Sequence, residues 1–173
     1  VDPPTAPIQR DGNVYNFTDN INETIEVERN NIVIDGNGYT LQGPGLYGFY
    51  LYDRSGVTIK NTNIMGFDNG IDICYSRDNT ISGNNITDNF NGIHIHFFCS
   101  GNTIKDNNIT DNTNVGITIY GDSAENVIYH NNFIDNYQQA STEILGGAWD
   151  NGAEGNYWSD YTGVDSDGDG IGD

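Results

Sequence analysis

Asn102-Thr103-Ile104-Lys105-Asp106-Asn107-Asn108-Ile109 repeats Asn79-Thr80-Ile81-Ser82-Gly83-Asn84-Asn85-Ile86 at a distance of 23 residues. The same phrase returns as Gly56-Val57-Thr58-Ile59-Lys60-Asn61-Thr62-Asn63-Ile64 and as Asn126-Val127-Ile128-Tyr129-His130-Asn131-Asn132-Phe133. A first copy is Asn31-Ile32-Val33-Ile34-Asp35-Gly36-Asn37-Gly38. The anchor residues Ile34, Ile59, Ile81, Ile104 and Ile128 are therefore spaced by 25, 22, 23 and 24 residues. A fixed period of this size is the mark of a repeat architecture.

A second phrase lies between the anchors. It reads Gly48-Phe49-Tyr50-Leu51, Gly70-Ile71-Asp72-Ile73, Gly92-Ile93-His94-Ile95 and Gly116-Ile117-Thr118-Ile119, with Thr24-Ile25-Glu26-Val27 as an earlier copy lacking the glycine. These segments alternate apolar and polar residues, the period of a β-strand. One repeat holds about three short strands and three turns, and is too short for a helical hairpin of roughly 34 residues. A leucine-rich repeat would show recurrent Leu and a helical segment, and neither is present. The expected fold is an all-β, right-handed parallel β-helix of about five rungs, with Ile stacked on Ile inside and polar residues outside.

Asn37, Asn84, Asn107 and Asn131 stand three residues after their anchors, with Thr62 at that place once. Asn tolerates left-handed backbone, and stacked amides bond from rung to rung. The row therefore reads as a turn ladder, not a ligand site. Residues 1–20 read as an irregular leader and a potential donor strand, 21–137 as rungs, and 138–173 as a tail rich in Gly, Trp and Asp.

Composition narrows the function. Lys and Arg number 6 against 25 Asp and Glu, a formal charge of −19. Nucleic-acid binding needs clustered cations to displace counterions, and anionic membranes are disfavoured for the same reason. No stretch approaches the ~20 apolar residues of a membrane span. Val1-Asp2-Pro3-Pro4 reads as a mature N-terminus. Sequons at Asn16, Asn22, Asn85 and Asn108 are candidate glycosylation sites and suit a secreted setting. Cys74 and Cys99 are expected to form a disulfide in an oxidising compartment, provided the turn before Cys99 curls back to close their offset along the rung.

The rungs are followed by Trp149, Gly155-Asn156-Tyr157-Trp158-Ser159-Asp160-Tyr161 and Asp165-Ser166-Asp167-Gly168-Asp169-Gly170-Ile171-Gly172-Asp173. Over roughly residues 24–173 the chain resembles the NosD-like parallel β-helix repeat proteins. That resemblance implies secreted or surface proteins of archaeal type, associated with copper or with carbohydrate. In the family the Asp-rich loop usually runs on into a Pro-Tyr segment, which does not follow Asp173 here.

Asp165, Asp167 and Asp169 alternate ahead of a glycine turn, Ile171 supplies a backbone carbonyl and Asp173 an oxygen at the ninth position, as a calcium loop requires. The Glu expected at the twelfth position does not occur, so Asp160, a terminal carboxylate, water or an adjoining subunit is expected to close the site. A second candidate metal site is His94 with His96 on the outer face of one strand, with Asp72 and Cys74 at matching positions one rung earlier. For acidic-polysaccharide chemistry the outward candidates are Asp72, His94, Arg77 and Lys105, and they form no acid–base constellation with a uronate-neutralising cation. Tyr50 and Tyr52 point outward and could stack on sugars. An enzyme is not expected. The leading expectation is an extracellular structural subunit, homopolymeric through its β-helix ends and stabilised by calcium. The alternatives are a protein that binds or modifies extracellular glycans, and a copper-handling protein of periplasmic type acting through His94 and His96.

Overall fold

The structure is a computed structural model that describes residues 5–143 and 147–163. It is a parallel β-solenoid in which each rung contributes one strand to each of three sheets, of seven, six and six strands. No helix occurs among the described residues. The first sheet carries the anchors: Val33–Asp35, Thr58–Lys60, Thr80–Ser82, Thr103–Lys105 and Val127–Tyr129 stack in parallel, in register Ile34↔Ile59↔Ile81↔Ile104↔Ile128. The second sheet stacks Leu41, Ile64, Ile86, Ile109 and Phe133. The third is built from longer strands, Tyr47–Tyr52, Asn69–Cys74, Asn91–His96 and Val115–Tyr120, with Gln138–Thr142 added at its C-terminal end.

The columns explain the composition. β-branched Ile fits a pleated surface that is buried inside and stacked above and below. The anchor column and the Ile71, Ile93 and Ile117 column are all fully buried. Between these strands the chain turns corners, and there the asparagines act. Asn84 N–H and Nδ2 both donate to Asn107 Oδ1 at 3.0 Å. Asn107 repeats the pattern onto Asn131, and Asn131 onto Asn156. Each Nδ2 also donates back to a carbonyl of the preceding rung, as Asn107 does to Ile81 O at 2.9 Å. Two further ladders, Asn79–Asn102–Asn126 and Asn89–Asn112–Asn136, do the same at the other corners. Burying this many polar groups is tolerable only because every amide is bonded.

The ladder differs from the expectation in two respects. The left-handed residues are not the ladder asparagines but those just before them, Asn61, Gly83, Asp106 and His130, with φ between 53° and 65°. Asn37 lies outside the row and is exposed. Gly36 takes the place beside Thr62, where a Cβ would come 2.2 Å from Thr62 Oγ1. That rung carries the longest spacing, and its extra residues form a wider turn through Asn37 and Gly38.

The leader is not irregular. Ile8–Asp11 and Val14–Phe17 form an antiparallel hairpin, and Val14–Phe17 continues the first sheet by pairing in parallel with Val33–Asp35. Val14–Phe17, the segment expected to be donated, is paired on both edges within the chain. The rungs also run past residue 137. Gln138–Thr142 closes the third sheet, Asn156 ends an amide ladder, and Tyr157–Trp158 pairs with the second sheet. Trp158 stacks on Phe133 at 4.5 Å between centroids and covers that end of the core. The expected calcium ligands Asp165, Asp167, Asp169, Ile171 and Asp173 lie outside the described residues.

Cys74 and Cys99 are two free thiols, which corrects the expected disulfide. The third-sheet strands alternate, so Cys74 stands on the outer face in register with His96. Cys99 turns into the core, where its Sγ donates to His96 O at 3.1 Å and accepts from Ser76 N at 3.3 Å. The turn does not curl back to bring the two together. Burial, then the charge of Asp72, pushes the Cys74 thiol up to about 11. Thiol titration of unreduced, denatured protein should find two reactive groups per chain, and the native protein should react slowly at pH 8. No thiol without reductant would contradict this assignment.

Of the sequons, Asn22 is exposed and Asn16 half-buried within the hairpin strand. Asn85 and Asn108 are half-buried and joined by a hydrogen bond of 2.9 Å from Asn108 Nδ2 to Asn85 Oδ1.

Candidate metal centre

The outer face of the third sheet has a column Tyr50–Asp72–His94–Thr118 beside a column Tyr52–Cys74–His96–Tyr120. Parallel in-register pairing places His94 directly over Asp72, and the two-residue strand period puts His96 on the same face. The side chains converge. Asp72 Oδ2 lies 3.0 Å from His94 Nδ1, and Asp72 Oδ1 lies 3.0 Å from His96 Nε2. The two imidazoles stack with centroids 4.2 Å apart and planes inclined by 10°. Each of the three residues offers one donor atom, and these atoms lie within 4.8 Å of one another.

The carboxylate is buried (2% side-chain exposure), while His94 and His96 remain reachable at 13% and 15%. With Nδ1–H on His94 and Nε2–H on His96, both rings donate to Asp72. His94 Nε2 is then free to accept the Tyr120 hydroxyl at 2.7 Å. Asn69 Nδ2 adds a third donor to Asp72 at 2.9 Å. His96 Nδ1 is buried and has no hydrogen-bond partner.

Burial pushes the Asp72 carboxyl up, but the hydrogen bonds and charges of His94 and His96 outweigh it and hold it below its ordinary value. The surrounding acids keep their protons: burial, reinforced by Cys74, pushes Tyr50 up to about 12, and Tyr120 is raised by burial and by Asp72. Asp72 is thus the anion of this face. Because folding lowers its pKa, its contribution to stability is full above about pH 4 and is lost as pH falls through the lowered value. Urea midpoints of wild type and Asp72→Ala should therefore differ most at neutral pH and converge in acid. A gap that stays constant down to pH 2 would contradict this.

Sequence reasoning placed Asp72, Cys74, His94 and His96 on one patch, and the structure joins three of them. It did not find Tyr120 as the partner of His94, nor Asn69 as the donor to Asp72. Strict alternation would put residues 69 and 72 on opposite faces, yet Asn69 Nδ2 reaches Asp72 Oδ2, and a Cβ at Gly70 would point at Ile86 Cγ2, so the alternation is broken at Gly70. The third histidine, His130, lies elsewhere, held by Asp106 at 3.5 Å and by Glu154. Lys105 pairs with Asp106, and Arg77 faces Asp78, so neither cation reaches this site.

Two imidazole nitrogens and a carboxylate oxygen are borderline to hard donors, suited to copper(II), zinc or nickel rather than copper(I), which favours sulfur. The one methionine, Met65, belongs to the second sheet. The Tyr120 hydroxyl against the far nitrogen of His94 is the kind of outer contact that orients a ligating imidazole.

Comparison with known proteins bears on this arrangement. The family model NosD, described as a periplasmic copper-binding protein, matches residues 11–163. A probable ABC transporter binding protein NosD of Pseudomonas aeruginosa is 46% identical over 63 residues, which cover 34% of this chain and 14% of that protein. Two solved structures share the fold. They are the A-module of the Azotobacter vinelandii mannuronan C-5 epimerase AlgE6 (TM-score 0.59, 20% identity, 69% of this chain and 38% of that one) and an alginate lyase from Paenibacillus sp. (TM-score 0.58, 20% identity, 69% and 48%). The chain spans less than half the length of each of these proteins.

Proposed function

Since the chain belongs to the NosD family, we propose that it is a protein of the cell exterior that binds a divalent transition metal, copper(II) foremost, through Asp72, His94 and His96. The observation that carries this reading is the convergence of a buried carboxylate and two reachable imidazoles on one sheet face. Such a metal would supply a local positive charge beside Asp72. The protein's part is to hold the ligands: stacked parallel strands set their spacing, Asn69 fixes the carboxylate, and Tyr120 fixes His94. Binding requires ligand nitrogens free of protons, so affinity falls in acid. The family's description as periplasmic supports a location outside the cytoplasm. Equilibrium dialysis of purified protein against copper(II) and zinc tests the reading. One equivalent per chain is expected. A protein that retains none, or that binds equally well with both histidines replaced, sinks it.

A calcium loop at residues 165–173 and a head-to-tail homopolymer are a separate proposal, supported by the alternating aspartates of the sequence and by the edge strands at which the three sheets end. Light scattering with calcium and with chelator should show a larger species only with calcium, and a monomer under both conditions at high concentration would refute it.

A further inference from the structure

The outer face of the third sheet also carries a groove that adjoins the metal centre, sharing Asn69, His94 and Tyr120 with it, and extends beyond it across the rungs. One cavity of roughly 470 Å³ is lined by Asn69, Asn91, Asn114, Thr118, Gln138 and Ser141, together with His94, Tyr120 and Glu143. A second, of roughly 380 Å³, is lined by Leu46, Tyr47, Asp68, Phe90 and the same Asn69 and Asn91. Asn69 and Asn91, paired on successive rungs, line both cavities, so the two adjoin as a trough across the rungs.

We propose that this trough binds a neutral, hydroxyl-rich polysaccharide laid along the solenoid axis. Three observations carry the proposal. The first is an oriented amide chain: Asn114 Nδ2 donates to Asn91 Oδ1 at 2.8 Å, Asn91 Nδ2 to Asn69 Oδ1 at 2.8 Å, and Asn69 Nδ2 to Asp72 Oδ2 at 2.9 Å. Aligned amides polarise one another. The chain ends on Asn114 Oδ1, which accepts no hydrogen bond among the described residues, while the Asn114 backbone carbonyl is taken by Gln138 N at 2.9 Å. The hydroxyls of Thr118 and Ser141, on successive strands, also lack side-chain partners there. These groups offer acceptors and donors at the rung spacing of about 4.8 Å, close to the advance of one pyranose along an extended glycan.

The second observation is apolar surface at the other end. Leu46 and Phe90 are 62% and 52% exposed, and Tyr47 stacks on Tyr50 at 4.6 Å. Aromatic and aliphatic faces beside amides suit sugars, which present both C–H faces and hydroxyls. The third is charge. No Lys or Arg lines either cavity, whereas Asp68 and Glu143 do. In a chain of net charge −19 this repels a polyuronate and leaves a neutral chain as the fitting occupant.

The test uses calorimetry with a neutral β-1,4-linked hexasaccharide (glucan or mannan) and an oligomannuronate of equal length, each without added metal. The neutral oligomer is expected to bind and the uronate to bind at least about tenfold more weakly. Asn114→Ala with Ser141→Ala should weaken the neutral oligomer about tenfold, as loss of two modest hydrogen bonds implies. Phe90→Ala should weaken it independently. Phe98→Ala, an exposed aromatic outside the trough, should leave it unchanged. No binding of neutral oligomers, uronate binding of equal strength, or binding indifferent to all trough variants would overturn the proposal. Copper(II) uptake by the Asn114→Ala, Ser141→Ala protein should equal that of wild type, which separates this proposal from the metal centre.

Discussion

Asn107→Leu is expected to destabilise the protein by about 3–5 kcal/mol, although leucine keeps the same number of side-chain heavy atoms and the same branch point. The amide makes five contacts in a dry corner. Its oxygen accepts from Asn84 N and Asn84 Nδ2, and its nitrogen donates to Ile81 O, Lys105 O and Asn131 Oδ1. Leucine leaves the Asn84 N–H buried without an acceptor and removes a donor from two carbonyls. Each orphaned buried group costs about 1–3 kcal/mol, far more than a satisfied hydrogen bond contributes. The matched control is Asn108→Ala. That side chain is half-buried on the outer face and donates once, to Asn85, so its loss should stay within about 1 kcal/mol. Urea unfolding of both variants against wild type measures the difference. Equal effects would mean that the buried ladders are not what holds the rungs in register.

His94→Ala and His96→Ala are each expected to weaken copper(II) binding by about a hundredfold or more. Outer-shell partners of metal ligands commonly contribute 10–100-fold in affinity, and a ligand contributes more than its support. Tyr120→Phe, which keeps the ring but removes the hydroxyl 2.7 Å from His94 Nε2, should therefore cost only about tenfold. The order His94→Ala, His96→Ala, then Tyr120→Phe is as informative as the magnitudes. His130→Ala should have no effect, since that ring pairs with Asp106 and Glu154 on another part of the rung. Competition against a chromophoric chelator gives all four affinities under one condition.

The β-helix was legible because its columns are written as a period. Five successive rungs repeat the same Ile at the same inward place, and parallel in-register stacking turns that repetition directly into contact. His94, His96 and Asp72 were legible for the same reason: alternation gives the face, and the rung offset gives the neighbour. Features off the period were not. Gln138–Thr142 pairs in the third sheet without any Ile at the anchor's place, so a reading keyed to Ile ended the rungs too early. The leader hairpin is antiparallel and belongs to no repeat. The thiols were misjudged because a strand position does not say that Cys99 turns inward while Cys74 stays outside. The Tyr120 contact spans 26 residues and depends on side-chain direction, which spacing alone does not carry.

The most direct test of the metal centre is electron paramagnetic resonance of the copper(II)-loaded protein. The account predicts one copper per chain with nitrogen hyperfine coupling from two imidazoles, reduced to one in His94→Ala and in His96→Ala and absent in the double variant. A signal without nitrogen coupling, or one unchanged when both histidines are replaced, would contradict it.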